Sequence, residues 1–201
     1  MGRSGRSAGR SGGELNEAGI WGRFAAERGS RRRRTACRLV ERRKGNGACG
    51  FPLGLGTTPE KIASEIAPDS DDTRRRLILE YREKPIGEMS FRILQGNAAE
   101  IGIKICEADY QERGIGRIAL SMLIAALFQR GCGKIILDTN LNNTRAQHVY
   151  ETLGFQKTGV RYGAWTDQLG RLQSAVDYEL TRDHFADYTQ ETERTKRHAG
   201  H

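Results

Sequence analysis

Residues Gln111–Gly116 (Gln-Glu-Arg-Gly-Ile-Gly) have the composition of an anion-binding turn. They lie between an apolar strand pattern and an amphipathic helix pattern. The first N–H groups of a helix lack intrahelical partners and sit at the positive end of the helix dipole, so they accept a phosphate, and glycines let the backbone approach it closely. A strand-to-helix turn that binds nothing uses glycine equally often. Neither a P-loop nor a three-glycine Rossmann pattern fits.

A second motif, Asn143–Phe155, combines polar and small residues at helical spacing. Asn143, Ala146 and Tyr150 share one face of the predicted helix because they follow an i, i+3, i+7 pattern. A tyrosine on an inner helix face is most often a core residue. Its place after the glycine turn gives Tyr150 a candidate role in chemistry.

The elements that must position these two motifs follow from periodicity and turn signals. Thr58 is a predicted N-cap with Pro59 at the first helical position. The predicted elements are a helix over Pro59–Ala67, strands around Leu77–Tyr81 and Ile86–Ile93 joined by the turn Glu83–Pro85, a strand over Glu100–Cys106 after the turn Gln95–Asn97, a helix over Gly116–Arg130, a strand over Lys134–Asp138, a helix over Asn143–Leu153, and strands over Gln156–Tyr162 and Gln173–Leu180.

This order of elements predicts an α/β (α+β) fold with a mixed, largely antiparallel sheet flanked by helices, and not a doubly wound parallel sheet. Residues 1–50 repeat Arg, Gly and Ser without periodicity, so we expect a disordered extension there. The patterned domain is predicted over residues 51–185, followed by a polar, frayed tail over residues 186–201.

The net positive charge of the chain comes from the N-terminal extension. The first 50 residues hold 13 basic and 4 acidic side chains, whereas the remainder hold 20 and 21. A basic arm of this kind can bind nucleic-acid phosphates, but only Trp21 and Phe24 are available to stack on bases, so a solvated tail is favoured.

The four cysteines, Cys37, Cys49, Cys106 and Cys132, match no zinc or redox spacing. We expect reduced thiols, no metal and a cytoplasmic location, because the N-terminus has no apolar leader and no stretch is long enough to cross a membrane.

Together the motifs carry a family resemblance. From about Leu77 to Phe185 the chain contains, in this order, a strand, Gln-x-x-Gly-x-Gly, an amphipathic helix, a strand and Asn-x-x-Ala-x-x-x-Tyr-x-x-x-Gly-Phe. This order resembles the GNAT superfamily of acyl-CoA-dependent N-acyltransferases. Trp165, Asp167, Gly170-Arg171 and Val176–Leu180 are similar to the branch of ribosomal-protein N-terminal and spermidine acetyltransferases.

The resemblance implies a donor site for acetyl-CoA and a direct transfer to a primary amine of a protein N-terminus, a polyamine or another small molecule. Tyr150 matches the general acid and Asn143 a CoA contact. The other residues implied to bind the donor are those of the splayed strand, Ile103, Lys104, Ile105 and Cys106, and those of the pyrophosphate turn, Gln111, Arg113, Gly114, Ile115, Gly116 and Arg117.

Direct transfer needs a neutral amine, so a base must accept its proton. Glu100 at the start of the splayed strand is the first candidate and Glu88 the second. Cys106 has no histidine at an obvious position to activate it, so we interpret it as a buried, inert thiol.

The chain departs from the family at its start. Residues 1–50 supply no candidate strand, so the family's usual first strand and helix are in doubt, and a wrong-frame or mis-started extension would explain the change of composition near Phe51. The alternative function is a catalytically silent acyl-CoA-binding or nucleic-acid-binding protein that uses the basic arm. The sequence leaves a homodimer open and does not identify the acceptor.

Overall fold

The computed structural model of the chain describes residues 20–23 and 58–189. These residues form a mixed sheet with helices on both of its faces. The elements are β1 (Ile20–Arg23), α1 (Pro59–Ile66), β2 (Arg74–Tyr81), β3 (Lys84–Leu94), β4 (Ala98–Ile105), α2 (Ile115–Gln129), β5 (Lys134–Asn140), α3 (Thr144–Thr152), β6 (Gln156–Thr166) and β7 (Leu172–Thr181), with short 3-10 turns at Ala108–Tyr110 and Arg182–His184.

The seven strands form one sheet in the order β1-β2-β3-β4-β5-β7-β6. Neighbouring strands are antiparallel except for β4 and β5, which are parallel and connected by α2. A parallel pair needs such a crossover, whereas the antiparallel pairs β2–β3, β3–β4 and β6–β7 are joined by short turns. The predicted mixed, largely antiparallel sheet is confirmed.

The parallel pair is short. Its register runs from Ala98 opposite Lys134 to Glu100 opposite Ile136 and stops there, although β4 continues to Ile105 and β5 to Asn140. Beyond Glu100 the two strands diverge, while β4 stays paired with β3 as far as Ile105 opposite Gly87. The sheet therefore splits along one edge of β4, at its centre.

Helices α2 and α3 pack on the face of the sheet that carries the hydrophobic core. Alternation along the strands puts one set of side chains toward these helices, and α2 buries most of its own apolar side chains there. Large residues of this core with almost no exposed surface are Leu77, Leu79, Ile86, Leu120, Ile124, Leu127, Phe128, Ile135, Leu153 and Tyr178.

The opposite face of β2, β3 and β4 is charged. The cross-strand rows Arg74–Arg92–Glu100 and Arg76–Ser90–Gly102 lie on it. Helix α1 packs on this face, since Glu65 lies 3.5 Å from the Arg76 guanidinium. The start of α1 is capped as predicted, because the Lys61 N–H donates to Thr58 Oγ1 at 3.2 Å.

Three local predictions need correction. The prediction that residues 1–50 contain no strand is wrong, because Ile20–Arg23 pair with β2 at the sheet edge; the predicted disorder concerns residues that otherwise lie outside the described ones. The β2–β3 turn is Arg82–Glu83, both at positive φ, and not Glu83–Pro85, since Pro85 lies in β3 opposite Glu80. Such paired positive φ values suit the twist of a two-residue hairpin.

The third correction concerns residues 186–189, the described part of the tail that was expected to fray after Phe185; residues 190–201 lie outside the described ones. Instead the Ala186 N–H donates to the Leu153 carbonyl at 3.0 Å, and the Tyr188 N–H donates to Ser121 Oγ at 3.1 Å. Phe185 packs its ring 5.8 Å from that of Phe128. The segment therefore fastens the end of α3 to the middle of α2.

Gly154 is required where this segment crosses the end of α3. It has φ +95°, and a Cβ there would lie 1.8 Å from the His184 carbonyl oxygen. We expect Gly154→Ala to lower the free energy of unfolding by about 3 kcal/mol, since the strained φ and the backbone clash add. Urea denaturation measures this change.

The matched control is Gly170→Ala. Gly170 also has positive φ, +77°, but nothing lies within 4 Å of its Cβ position, so the loss should be only about 1 kcal/mol. Equal losses in the two variants would show that the approach of His184 does not constrain the fold.

Candidate donor and acceptor sites

The turn between β4 and α2 leaves a helix start without a side-chain cap. The N-cap residue is Gly114, at φ +73°, and it has no side chain that could accept a hydrogen bond from the first turn of the helix. The first helical bond is Ile118 N–H to the Gly114 carbonyl, so the N–H groups of Ile115 and Gly116 at the start of the helix point away from it. This is the geometry that the sequence predicted for an anion site.

Gln111 braces this turn. Its Nε2 donates to the Ile105 carbonyl at 2.9 Å, which ties the turn to the end of β4. Gln111 still lines a cavity of about 420 Å³ at the start of α2, together with Glu112, Gly114, Gly116 and Arg117. The predicted turn residues are thus brought together, with Gln111 supporting the backbone.

The two arginines of the turn have different positions. The Arg117 guanidinium stacks 4.3 Å from the centre of the Tyr188 ring and lines the cavity. Arg113 does not line it: its guanidinium lies 5.7 Å from the centre of the Tyr110 ring, and its Nη1 is 3.4 Å from the Asp109 carbonyl. Ile115 offers only its backbone, because its side chain is buried.

The cavity is basic. Besides Arg117 it is lined by Lys104, Arg145 and His148, and the acidic residue on its wall is Glu112. Arg145 pairs with Glu112 at 2.5 Å and so joins α3 to the turn. Residue pattern alone does not place Arg145 or His148 here, because they lie on a different helix and their approach depends on how α3 packs. The site can hold a polyanion.

A second cavity, of about 480 Å³, fills the gap where β4 and β5 diverge. We call it the donor cleft. It shares Ile103, Ile105, Gly116, Asn143, Ala146 and Val149 with the basic cavity, so the two form one continuous groove. Asn143 is the N-cap of α3, with its Oδ1 accepting from the Ala146 N–H at 3.3 Å. Its amide therefore both starts the helix and lines the groove.

Tyr150 lines the donor cleft from α3. Its ring is buried and lies edge-on to Phe155 and Tyr178, with centroids 5.9 Å away in both cases. The Tyr178 hydroxyl donates to Glu151 Oε1 at 2.9 Å, which fixes one of the rings that hold Tyr150. Trp165 of β6 also lines the cleft.

Backbone groups of β4 point into this cleft. The Cys106 N–H donates to the Ile86 carbonyl at 2.8 Å, so the N–H of every second residue back from Cys106 is directed toward β3. The groups of Ile103 and Ile105 are directed to the other side, where β5 is absent. Cys106 itself is buried and lines neither cavity, contrary to its predicted place beside the donor.

Three carboxylates compete for the role of base. Glu100 does not line the donor cleft; it lines a third cavity, of about 490 Å³, on the charged face under α1, and pairs with Arg92 at 2.5 Å. We call this third space the acceptor-side cavity. Asp138 of β5 does line the donor cleft, held by Arg161 at 2.6 Å. Asp138 could not be recognised from residue pattern, because its exposure to the cleft depends on the divergence of the strands.

Glu88 is partly buried beside Lys104, its cross-strand neighbour. Burial raises the pKa of Glu88 above its ordinary value of 4.5, against the opposing charges of Arg76 and Lys104. Its Oε2 has no hydrogen-bond partner among the described residues. Glu88 lines none of the three cavities described above, so its position favours an electrostatic influence over direct contact with a ligand.

Other chemistry is not assembled in residues 58–189. No group of three or more His, Cys, Asp or Glu side chains there could hold a metal ion. Cys106 and Cys132 are buried and in no disulfide. Within the same part of the chain, no helix combines the length and apolar character needed to span a membrane.

The sheet splits between β4 and β5, an anion-binding type of turn lies at one end of the split, and a tyrosine lies within it. This is the arrangement of an acyl-CoA N-acyltransferase fold. Residues 49–155 match the model of the Acetyltransferase (GNAT) family. The chain belongs to this family.

Solved structures of acetyltransferases have the same fold as this chain. Spermidine N-acetyltransferase from Vibrio cholerae in complex with CoA and spermine superposes with a TM-score of 0.71 at 22% identity, covering 84% of this chain and 98% of that one. A ribosomal L7/L12 alpha-N-protein acetyltransferase in complex with CoA gives 0.72 at 16% identity, covering 85% and 98%. At these identities the likeness shows the fold.

A curated relative is the ribosomal protein bS18-alanine N-acetyltransferase of Escherichia coli strain K12. It is 35% identical over 70 residues, which are 35% of this chain and 47% of that protein. The chain thus spans about half the length of the curated relatives it matches.

We expect the partly buried Glu88 carboxyl to make stability depend on pH. Because its pKa is raised in the folded state, the folded protein binds the proton more tightly than the unfolded chain does, and stability falls as pH rises from about 4.5 through the folded pKa. We expect Glu88→Gln to lose this part of the pH dependence and to be relatively more stable at neutral pH. Urea unfolding at a series of pH values measures it.

Glu83→Gln is the control, because Glu83 is exposed in the β2–β3 turn. It should leave the pH dependence unchanged. A slope that persists in Glu88→Gln would assign the effect to other groups.

Proposed function

We propose that the protein is an N-acetyltransferase that moves an acetyl group from acetyl-CoA to a primary amine by direct attack. The observation that carries the proposal is the split between β4 and β5 after Glu100 and Ile136, which opens a groove from the uncapped start of α2 to Tyr150. Membership of the GNAT family supports it.

The groove residues fit the donor. The N–H groups of Ile115 and Gly116 and the basic cavity around them would hold the phosphates of CoA. The apolar walls of the donor cleft, including Ile103, Ala146 and Val149, would hold its pantetheine arm. Acetyl-CoA supplies the thioester, an acyl group already activated for transfer.

The residues of the cleft would then act on the reacting atoms. The N–H groups of Ile103 and Ile105 stabilise the negative charge that develops on the carbonyl oxygen. The amine nitrogen bonds to the acetyl carbon and the carbon–sulfur bond breaks. A base takes the proton of the amine, and the Tyr150 hydroxyl gives a proton to the departing sulfur.

We propose Glu100 as the base because it lines the acceptor-side cavity, from which an amine would approach β4. Asp138 is its competitor, since it reaches the donor cleft directly. Both are ion-paired to an arginine, Glu100 to Arg92 and Asp138 to Arg161. Arg161 makes one hydrogen bond to Asp138 and three to Asp177, so its charge is shared between two carboxylates.

Removing the Tyr150 hydroxyl tests the acid role. We expect Tyr150→Phe to reduce kcat by about 100-fold, as for loss of a general acid, with little change in the Kd for acetyl-CoA. Release of CoA thiol with an amine panel and calorimetric titration measure the two quantities.

The matched control is Tyr162→Phe. It removes the hydroxyl of an exposed tyrosine of β6 that lines none of the three cavities, so kcat should stay near wild type. If Tyr150→Phe keeps full turnover, Tyr150 is not the acid. Tight acetyl-CoA binding without turnover of any amine would favour the silent acyl-CoA-binding alternative.

Exchange of the two carboxylates for amides identifies the base. We expect Glu100→Gln to lower kcat about 100-fold and to remove the acidic limb of the kcat/KM pH profile. Asp138→Asn should change kcat less than about 10-fold. The reverse ranking assigns the base to Asp138, and two small effects rule out both.

A further inference from the structure

The acceptor-side cavity meets the donor cleft at one place. Ile101 and Gly102 line both spaces, and they are the first residues of β4 beyond its pairing with β5. Gly102 has no side chain on the charged face, and a Cβ there would lie 3.2 Å from Ser90 Oγ. Without a side chain, Gly102 presents the backbone of β4 directly to the acceptor-side cavity at the point where β4 leaves β5.

Charged side chains dominate the walls of the acceptor-side cavity. Three arginines, Arg74, Arg76 and Arg92, face three acidic residues, Glu65, Asp69 and Glu100. Arg75 also borders the cavity, but it alternates to the other side of β2 and pairs with Asp71 at 2.8 Å. The positive and negative charges of the walls are therefore equal, whereas a polyamine site needs an excess of carboxylates, because several ammonium groups must each meet one.

The ion pairs of Arg74 and Arg76 within this cavity are long, and that of Arg92 uses only one carboxylate oxygen. Arg74 Nε lies 3.8 Å from Asp69, and Arg76 Nη2 lies 3.5 Å from Glu65. Arg92 uses Nε and Nη2 on a single oxygen of Glu100, Oε2. A guanidinium carries five N–H donors, so all three arginines keep donors for a ligand. By contrast, Arg161 places Nε and Nη2 on both carboxylate oxygens of Asp177.

We propose that the acceptor is a small amine that also carries an anionic group, a carboxylate or a phosphate. Its anionic group binds the guanidinium groups of Arg74, Arg76 and Arg92, and its amine lies at Gly102 near Glu100. The volume of about 490 Å³ suits a small molecule. This proposal rests on the proposed acetyltransferase function and names the substrate class of its acceptor side.

Matched pairs of amines test the substrate class. The purified full chain is assayed by CoA release with alanine against alaninamide, with O-phosphoethanolamine against ethanolamine, and with spermidine. We expect the anionic member of at least one pair to exceed both its neutral partner and spermidine at least 10-fold in kcat/KM. The pair that discriminates tells whether the group is a carboxylate or a phosphate.

A variant ties the preference to the cavity. Arg74→Gln should remove most of it while leaving the Kd for acetyl-CoA unchanged. Arg82→Gln, which changes an arginine of the β2–β3 turn outside the cavity, should preserve it. Arg74 has a half-exposed side chain, and the melting temperature of each variant verifies folding.

Other outcomes overturn the inference. Equal or better turnover of spermidine or of both neutral amines contradicts the anionic requirement but leaves the acetyltransferase function standing. Turnover of none of the five amines also overturns it, and peptides with a free N-terminal amine then decide the acetyltransferase function separately. An undiminished preference in Arg74→Gln removes the cavity from the explanation.

Discussion

The separation of two parallel strands after only three paired positions determines the rest of this structure. Ala98, Ala99 and Glu100 pair with β5, and β4 then remains bonded only to β3. A strand edge of this kind normally pairs or is covered, since open N–H and C=O groups attract other strands. Here the edge lies inside the molecule, walled by α2, α3 and β6, so it is accessible to a ligand of the right width and to little else.

The two faces of the split sheet divide the chemistry. On the core side, the uncapped start of α2 and the basic residues of α3 make one end of the groove suitable for phosphates. On the opposite side, arginines and carboxylates in cross-strand rows form a polar chamber beneath α1. Gly102 connects the two. Donor and acceptor can thus approach the same stretch of β4 from opposite faces without competing for the same contacts.

Features of the fold and site that depend on local residue pattern could be predicted from the sequence. The turn Gln111–Gly116 and the cap at Thr58 follow from residue type and spacing, and the mixed sheet follows from the order of elements. The sequence did not predict what depends on packing at a distance. Arg145 and His148 reach the phosphate end only because α3 lies beside α2, and Asp138 faces the cleft only because β5 turns away from β4. Arg113, chosen for its place in the motif, stacks on Tyr110 instead.

The strand Ile20–Arg23 shows a further limit of pattern. Four residues within an Arg/Gly/Ser-rich stretch are too few to show the alternation of apolar and polar side chains that identifies a strand. The strand forms nonetheless, because its backbone pairs with β2 and this pairing requires no particular side chains.

The C-terminal segment has a consequence for the synthesis of the protein. The segment that runs past His184 to Tyr188 fastens the end of α3, contacts Ser121 of α2 and supports the Arg117 side chain by stacking. Because a chain emerges from the ribosome in order, the donor groove cannot be completed until nearly the last described residues are available. During translation the growing chain would hold the turn and the helices in sequence, but the groove would be complete only after Tyr188 had been made.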